Sequence, residues 1–151
     1  MDVPIRSLNH TDEATKQMLE NVRKRKEKFD IAEKRHFLSI YLTLIFAFIF
    51  FGHFYFTIAK QYSYSFFSMF SAALNDSLTV YMFALTLIGY GAMNVLKQQK
   101  DKKEKEYQEL RKEIVDKSKD LWKREDDWKN RHHVFELMKK HYDINLYHEN
   151  K

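Results

Sequence analysis

The residue whose type and place most invite chemistry is a histidine inside an apolar run. His53 sits beside Gly52 in a stretch, residues 37–59, that contains no lysine, arginine, aspartate or glutamate. An ionisable group in such a stretch is costly and is a functional suspect by default. As a metal or haem ligand it would need a second ligand, and the other apolar stretch offers only Tyr81, Met82, Met93 and Asn94. The plainer role is a neutral imidazole near the interface that hydrogen bonds to Thr57, one turn on, or reaches the headgroups. A second histidine group, His132, His133, His141 and His148, lies near Glu136, Asp143 and Glu149. His132 and Glu136 share a helix face at a spacing that can seat a metal. No third ligand stands at an obvious offset, so neither a metal nor a cofactor is expected.

Catalytic signatures are absent: the sequence has no GxSxG, no HExxH, no phosphate loop and no intramembrane pair of carboxylates. A hydrolase would have to join the outer serines to His53, without an acidic third member in the span. The chain is therefore expected not to be an enzyme, and no small-molecule substrate is evident. With no cysteine it has neither disulfides nor thiolate chemistry.

The elements that would position these groups are helices. Residues 37–59 make a first span of about 35 Å against a hydrocarbon core of about 30 Å. Residues 78–96 are just long enough for a second. Seven basic residues fall within 17–36 and seven within 97–116, whereas the connection 60–77 offers Lys60 alone. By the positive-inside rule both termini are cytoplasmic and that loop is outside. The first span is too long for the apolar region of a cleaved leader and is expected to stay in the mature protein. The fold class expected is thus an all-α membrane protein, two transmembrane helices in a hairpin with N- and C-terminal helical extensions.

Residues 1–10 hold the only proline and no periodic pattern, which predicts a loose terminus. A cytoplasmic amphipathic helix follows over 11–36, capped by Asn9 or Thr11 with Asp12 and Glu13 in its first turn. Its apolar stripe is Met18, Val22, Phe29, Ala32 and His36, with Arg25 in a polar slot, and it runs straight into the span. In the outer loop, Phe66, Phe70, Ala73 and Leu74 share one helical face while Ser65, Ser68, Ser71 or Ala72, and Asn75 share the other. That pattern fits a short helix on the bilayer surface, with Asn75 or Asp76 capping the second span. The competing reading starts the second helix near Phe66. Tyr55, Tyr62 and Tyr64 suit the outer headgroup zone, and Gly89, Gly91 and Ala92 form a small-residue patch able to meet the phenylalanines of the first span.

Beyond the second span, Tyr107, Ile114, Leu121, Trp128, Phe135 and Tyr142 recur every seven residues. The partner positions Leu110, Lys117, Arg124, Arg131 and Met138 are apolar only at the ends, so one helix over 97–142 with a single apolar edge fits better than a coiled coil. A tail occupies 143–151. Paired antiparallel with the helix of 11–36, the longer helix overhangs it. The overhang, with Trp122, Trp128, Phe135 and Tyr142, either folds back, self-associates or meets another protein. Those four are the candidate partner-binding residues, for a second copy or a cytoplasmic protein.

With 26 basic and 21 acidic residues the chain carries a net charge of +5. Its lysines between 97 and 131 alternate with acids, which argues against nucleic acid. Arg23, Lys24, Arg25, Lys26, Lys97, Lys100, Lys102 and Lys103 are candidates for anionic lipid headgroups, at about 1 kcal/mol each near the surface.

The lysine-rich N-terminal helix, the Phe-rich first span, the short second span ending GYGAMNVLKQQK and the charged tail together resemble the YpbF-like family, small two-span membrane proteins of Bacillus-type bacteria. The resemblance implies a bacterial plasma membrane and carries over no activity and no site residues. The function expected is a non-enzymatic membrane anchor or scaffold that presents a cytoplasmic helical pair. The alternative is a small oligomeric channel or holin-like permeabiliser. Against it stand Phe46, Phe48, Phe50, Phe51, Phe54 and Phe56, which pack poorly around a pore.

Overall fold

A computed structural model describes residues 2–8 and 11–147. Among them every regular element is helical: α1 (Val3–Arg6), α2 (Glu13–Phe54), a π-helical turn (Tyr55–Ala59), α3 (Phe66–Asn75), α4 (Ser77–Asp116), α5 (Ser118–Leu121) and α6 (Glu125–Tyr142). α2 begins where Asp12 Oδ1 accepts the Thr15 amide at 3.0 Å. Asp12 is therefore the cap, in place of Thr11; Asn9 lies outside the described residues. From there one helix continues into the apolar run, and α4 likewise carries the second apolar run into the charged region. Both helices are long and apolar enough to cross a membrane. The chain divides into two compact units, one made of Met1–Ala32 with Lys100–Lys151 and the other of Glu33–Gln99.

The unit holding the termini has an ordinary hydrophobic core. Ile5, Leu19, Val22, Tyr107, Ile114, Trp122, Val134, Phe135, Met138, Ile144 and Leu146 are buried together, with Met18, Phe29, Leu110, Leu121, Trp128 and Tyr142 packed against them. All six members of the sevenfold repeat thus face this core. They do so from three helices, because the single helix expected over 97–142 is broken. α4 ends at Asp116, α5 makes one turn, and Arg124 is extended (φ −76°, ψ 142°) before α6 starts. A straight continuation would leave the large side chains beyond 121 in water, at about 1.5–3 kcal/mol each. Folding back buries them. Glu125, Asp126 and Asp127 occupy the first turn of α6, and Lys139, Lys140 and His141 the last, both favourable to the helix dipole.

The loose terminus expected at 1–10 and the tail expected at 143–151 each contribute buried side chains to this core. Pro4 lies in the first turn of α1, where its missing N–H costs nothing, and Ile5 is fully buried. At the other end Asp143 takes a left-handed conformation (φ 56°), the Ile144 amide returns to the Met138 carbonyl at 3.1 Å, and Ile144 and Leu146 enter the core. Buried Arg111 donates from Nη1 to the Asn145 carbonyl at 2.9 Å and fastens this segment. Across the core Phe29 stacks on Tyr107 with ring centres 6.1 Å apart, and Trp122 meets Phe135 edge to face at 5.6 Å. The Thr15 hydroxyl donates to the Leu121 carbonyl at 3.4 Å.

Glu20, almost fully buried, is held by Arg23 at 2.9 Å and by the Asp2 amide at 3.2 Å. Chiefly through the Arg23 hydrogen bond, its carboxyl is lowered from 4.5 to about 2. Tyr142 is pushed up to about 12 by burial and by the neighbouring Asp2 carboxylate.

The other unit contains the apolar parts of α2 and α4, joined through the π-helical turn and α3. α3 is separate from α4, since Asp76 between them is extended (φ −87°, ψ 101°), and Ser65 caps it by accepting the Ser68 amide. Phe50 meets Phe83 at 5.7 Å. A methyl added at Gly89 would come 3.1 Å from Thr43 Oγ1, while one at Gly91 would meet nothing within 4 Å. Gly89 thus approaches Thr43 most closely, and with Ala92 it lines a cleft that Phe46 of the first apolar run also lines. Ser39, Thr43 and Thr86 turn their hydroxyls back to carbonyls of their own helices, at 2.7, 2.8 and 2.9 Å, which spares these groups an unpaired donor in apolar surroundings.

Candidate functional site

The apolar stretch of residues 37–96 contains a single histidine, His53, and a single acid, Asp76. The structure brings them together. His53 is next to last in α2, and its Nε2 lies 3.1 Å from Asp76 Oδ2. The Thr57 hydroxyl reaches Nδ1 at 3.4 Å, the contact expected from the sequence. A carboxylate accepting from Nε2–H and a hydroxyl donating to Nδ1 specify one neutral tautomer. Asp76 Oδ2 also accepts the Thr79 amide at 3.1 Å and the Thr79 hydroxyl, so it caps α4 as expected.

Asp76 retains about a third of its side-chain exposure and His53 about a fifth. The Thr79 hydroxyl first, and His53 next, hold the Asp76 carboxyl below the usual range. The arrangement joins the end of α2 to the start of α4 by a polar clasp in otherwise apolar surroundings. What His53 meets is an acid from the connection between the two apolar runs. The signal was available, because burying a lone acid and a lone histidine separately costs more than burying them paired.

The residues read as a partner-binding edge are placed elsewhere. Trp122 is 1% exposed and Phe135 5%, while Trp128 and Tyr142 are partly buried against them. Arg131 covers the Trp128 ring, its guanidinium carbon 3.6 Å from the centroid. These side chains are spent in the core of their own unit, because the chain folds back at 117–124.

The basic residues proposed for lipid are mostly paired. Arg23 contacts Glu20, Glu27 and Asp2, Lys26 contacts Asp30 at 2.7 Å, and Arg25 donates to the Glu106 carbonyl at 2.8 Å. Lys24 approaches Glu20 at 3.9 Å, Lys100 reaches Asp101 and Glu104, and Lys103 reaches Glu106. Lys97 and Lys102 are exposed. Lys34 and Arg35, exposed like Lys97, lie with it at the ends of the apolar unit.

Among the described residues no three of His, Cys, Asp and Glu converge as a metal site. His132 Nδ1 lies 2.8 Å from the Lys129 carbonyl, and its ring stands 3.9 Å from that of His133. His148 and Glu149 lie outside the described residues.

Residues 18–149 match the family described as "Protein of unknown function (DUF2663)". A Bacillus subtilis (strain 168) protein, "Uncharacterized protein YpbF", is 44% identical over 77 residues, covering 50% of this chain and 52% of that protein. The chain thus spans about half the length of this relative. The likeness to YpbF-like proteins read from the sequence is shown by both matches. No solved structure matches.

Proposed function

This chain belongs to the DUF2663 family, and on that premise we propose that it is a non-enzymatic protein of a bacterial plasma membrane. Its two spans, 37–59 and 78–96, anchor a closed helical domain at the cytoplasmic face. The observation that carries this reading is how exposed apolar side chains are distributed. Apart from Ile31 and Tyr147, every strongly exposed large apolar side chain among the described residues lies between Phe37 and Val95. Phe48, Phe56, Phe66, Phe67 and Tyr81 are all 70% or more exposed, a surface that water would penalise and lipid would not.

Lys34, Arg35 and Lys97 flank one end of the two apolar runs, and Lys60 alone follows the other, which favours both termini inside. With its aromatic edge used internally, the helical domain offers a partner charged helix faces in place of an apolar seam. Any scaffolding role therefore runs through those faces.

Because the chain has no cysteine, single-cysteine labelling tests the layout. In intact bacterial cells a membrane-impermeant maleimide is expected to label Ser63→Cys, and to label Asn130→Cys only after permeabilisation. Labelling of both in intact cells, or of Asn130→Cys alone, would overturn the reading. Leakage of dye from liposomes carrying the pure protein would replace the anchor with the pore.

A further inference from the structure

The outer connection contains a cleft that neither the anchor nor the clasp uses. It has a volume of about 310 Å³ and is lined by Tyr62, Tyr64, Phe67, Ser68, Ser71, Ala72 and Asn75. We propose that this cleft seats the uncharged, hydroxyl-rich headgroup of a membrane lipid, such as a glycosyl diacylglycerol, at the outer surface. The proposal rests on the two-span reading and adds a ligand to it.

Three features support it. No charged side chain lines the cleft, so nothing in it favours an anionic or cationic group over a neutral one. Its polar groups are open to a ligand: the hydroxyls of Ser68 and Ser71, the Asn75 amide and the two phenols make no side-chain hydrogen bond to another described residue. In the spans Ser39, Thr43 and Thr86 all bond back to their own helix. The α3 hydroxyls, which have the same option, do not take it. The aromatic rings of Tyr62 and Tyr64, with centres 6.5 Å apart, and of Phe67 supply faces against which the C–H bonds of a sugar ring can stack.

The geometry also says why the ligand is a lipid. α3 has Ser68, Ser71 and Asn75 on the cleft side and exposed Phe66, Phe70 and Leu74 on the other. With the latter three in the acyl region, the cleft opens at the level of headgroups. A molecule seated there by its polar end has hydrocarbon beside it for its tails.

The test is native mass spectrometry of the full chain released from nanodiscs that contain phosphatidylglycerol and a dihexosyl diacylglycerol in equal amounts. The expected result is preferential retention of the dihexosyl lipid, lowered at least tenfold by Ser71→Ala combined with Asn75→Ala, both exposed positions. Equal retention of phosphatidylglycerol, retention unchanged in the double variant, or complete displacement by the free disaccharide would each overturn the proposal. Ser63→Cys labelling in the same double variant separates the two readings. If labelling is normal and lipid selectivity is absent, only the cleft proposal fails.

Discussion

The two units use the same apolar residue types in opposite ways. In the unit formed by the termini, Leu19, Ile114, Trp122, Met138 and Ile144 are essentially inaccessible. In the unit of residues 33–99, only Ile58 is a buried large apolar side chain, and phenylalanines stand outward along both helices. Polar groups are reversed in the same sense. The first unit largely buries a charged pair, Glu20 with Arg23. Within residues 37–96 the second has one acid and one histidine, Asp76 and His53, and pairs them, while Ser39, Thr43 and Thr86 bond back to their own helices. On the proposed membrane reading, water around one unit and lipid around the other would account for this contrast, since both units are helical.

The contrast is sharpened most by truncating a large side chain on each side. Trp122→Ala should cost about 3–5 kcal/mol of domain stability in urea unfolding followed by circular dichroism. Phe48→Ala should cost under about 0.5 kcal/mol by the same measurement in vesicles. A large loss at Phe48 would make the second unit a water-soluble core in disguise.

Next in size is the buried carboxylate. Because the folded-state pKa of Glu20 is depressed, its contribution is complete above about 4.5 and is lost as pH falls toward about 2. Acidification through that window should remove up to about 3 kcal/mol from the terminal unit. Glu20→Gln should lose about 2 kcal/mol at neutral pH and flatten the acid dependence; an unchanged acid slope in the variant would show that another group sets it.

In the apolar unit, Gly89→Leu should push the helices apart where Thr43 approaches, at about 1–2 kcal/mol. Crosslinking between cysteines placed at Phe50 and Phe83 should fall accordingly. A small gain in stability is expected at Asp143, held at φ 56°. Asp143→Gly should relieve the left-handed backbone and raise the midpoint of urea unfolding by the equivalent of about 0.5 kcal/mol.

Much of this layout was legible in the residues. The apolar runs, the α3 faces, the Asp76 cap and the His53–Thr57 contact all follow from spacing. The sevenfold repeat correctly marks six inward positions, yet it suggested one helix, because the break at 117–124 carries neither glycine nor proline. The driving force there is tertiary: the burial of Trp122 and Phe135, which no local pattern states. For the same reason Ile5, Thr15, Ile144 and Leu146 went unread, since each is an isolated apolar or small residue whose place depends on what the chain brings to it. The His53–Asp76 pair was missed because the partner was sought inside the apolar runs, while it stands just before α4 as its cap.

The division between lipid and water is tested most directly by spin-label accessibility in liposomes, with nitroxides on Phe48→Cys and Lys129→Cys of the full chain. The account predicts that the Phe48 label relaxes with dissolved oxygen and is shielded from a water-soluble nickel chelate, with the reverse at Lys129. Equal access of the chelate to both positions would contradict it.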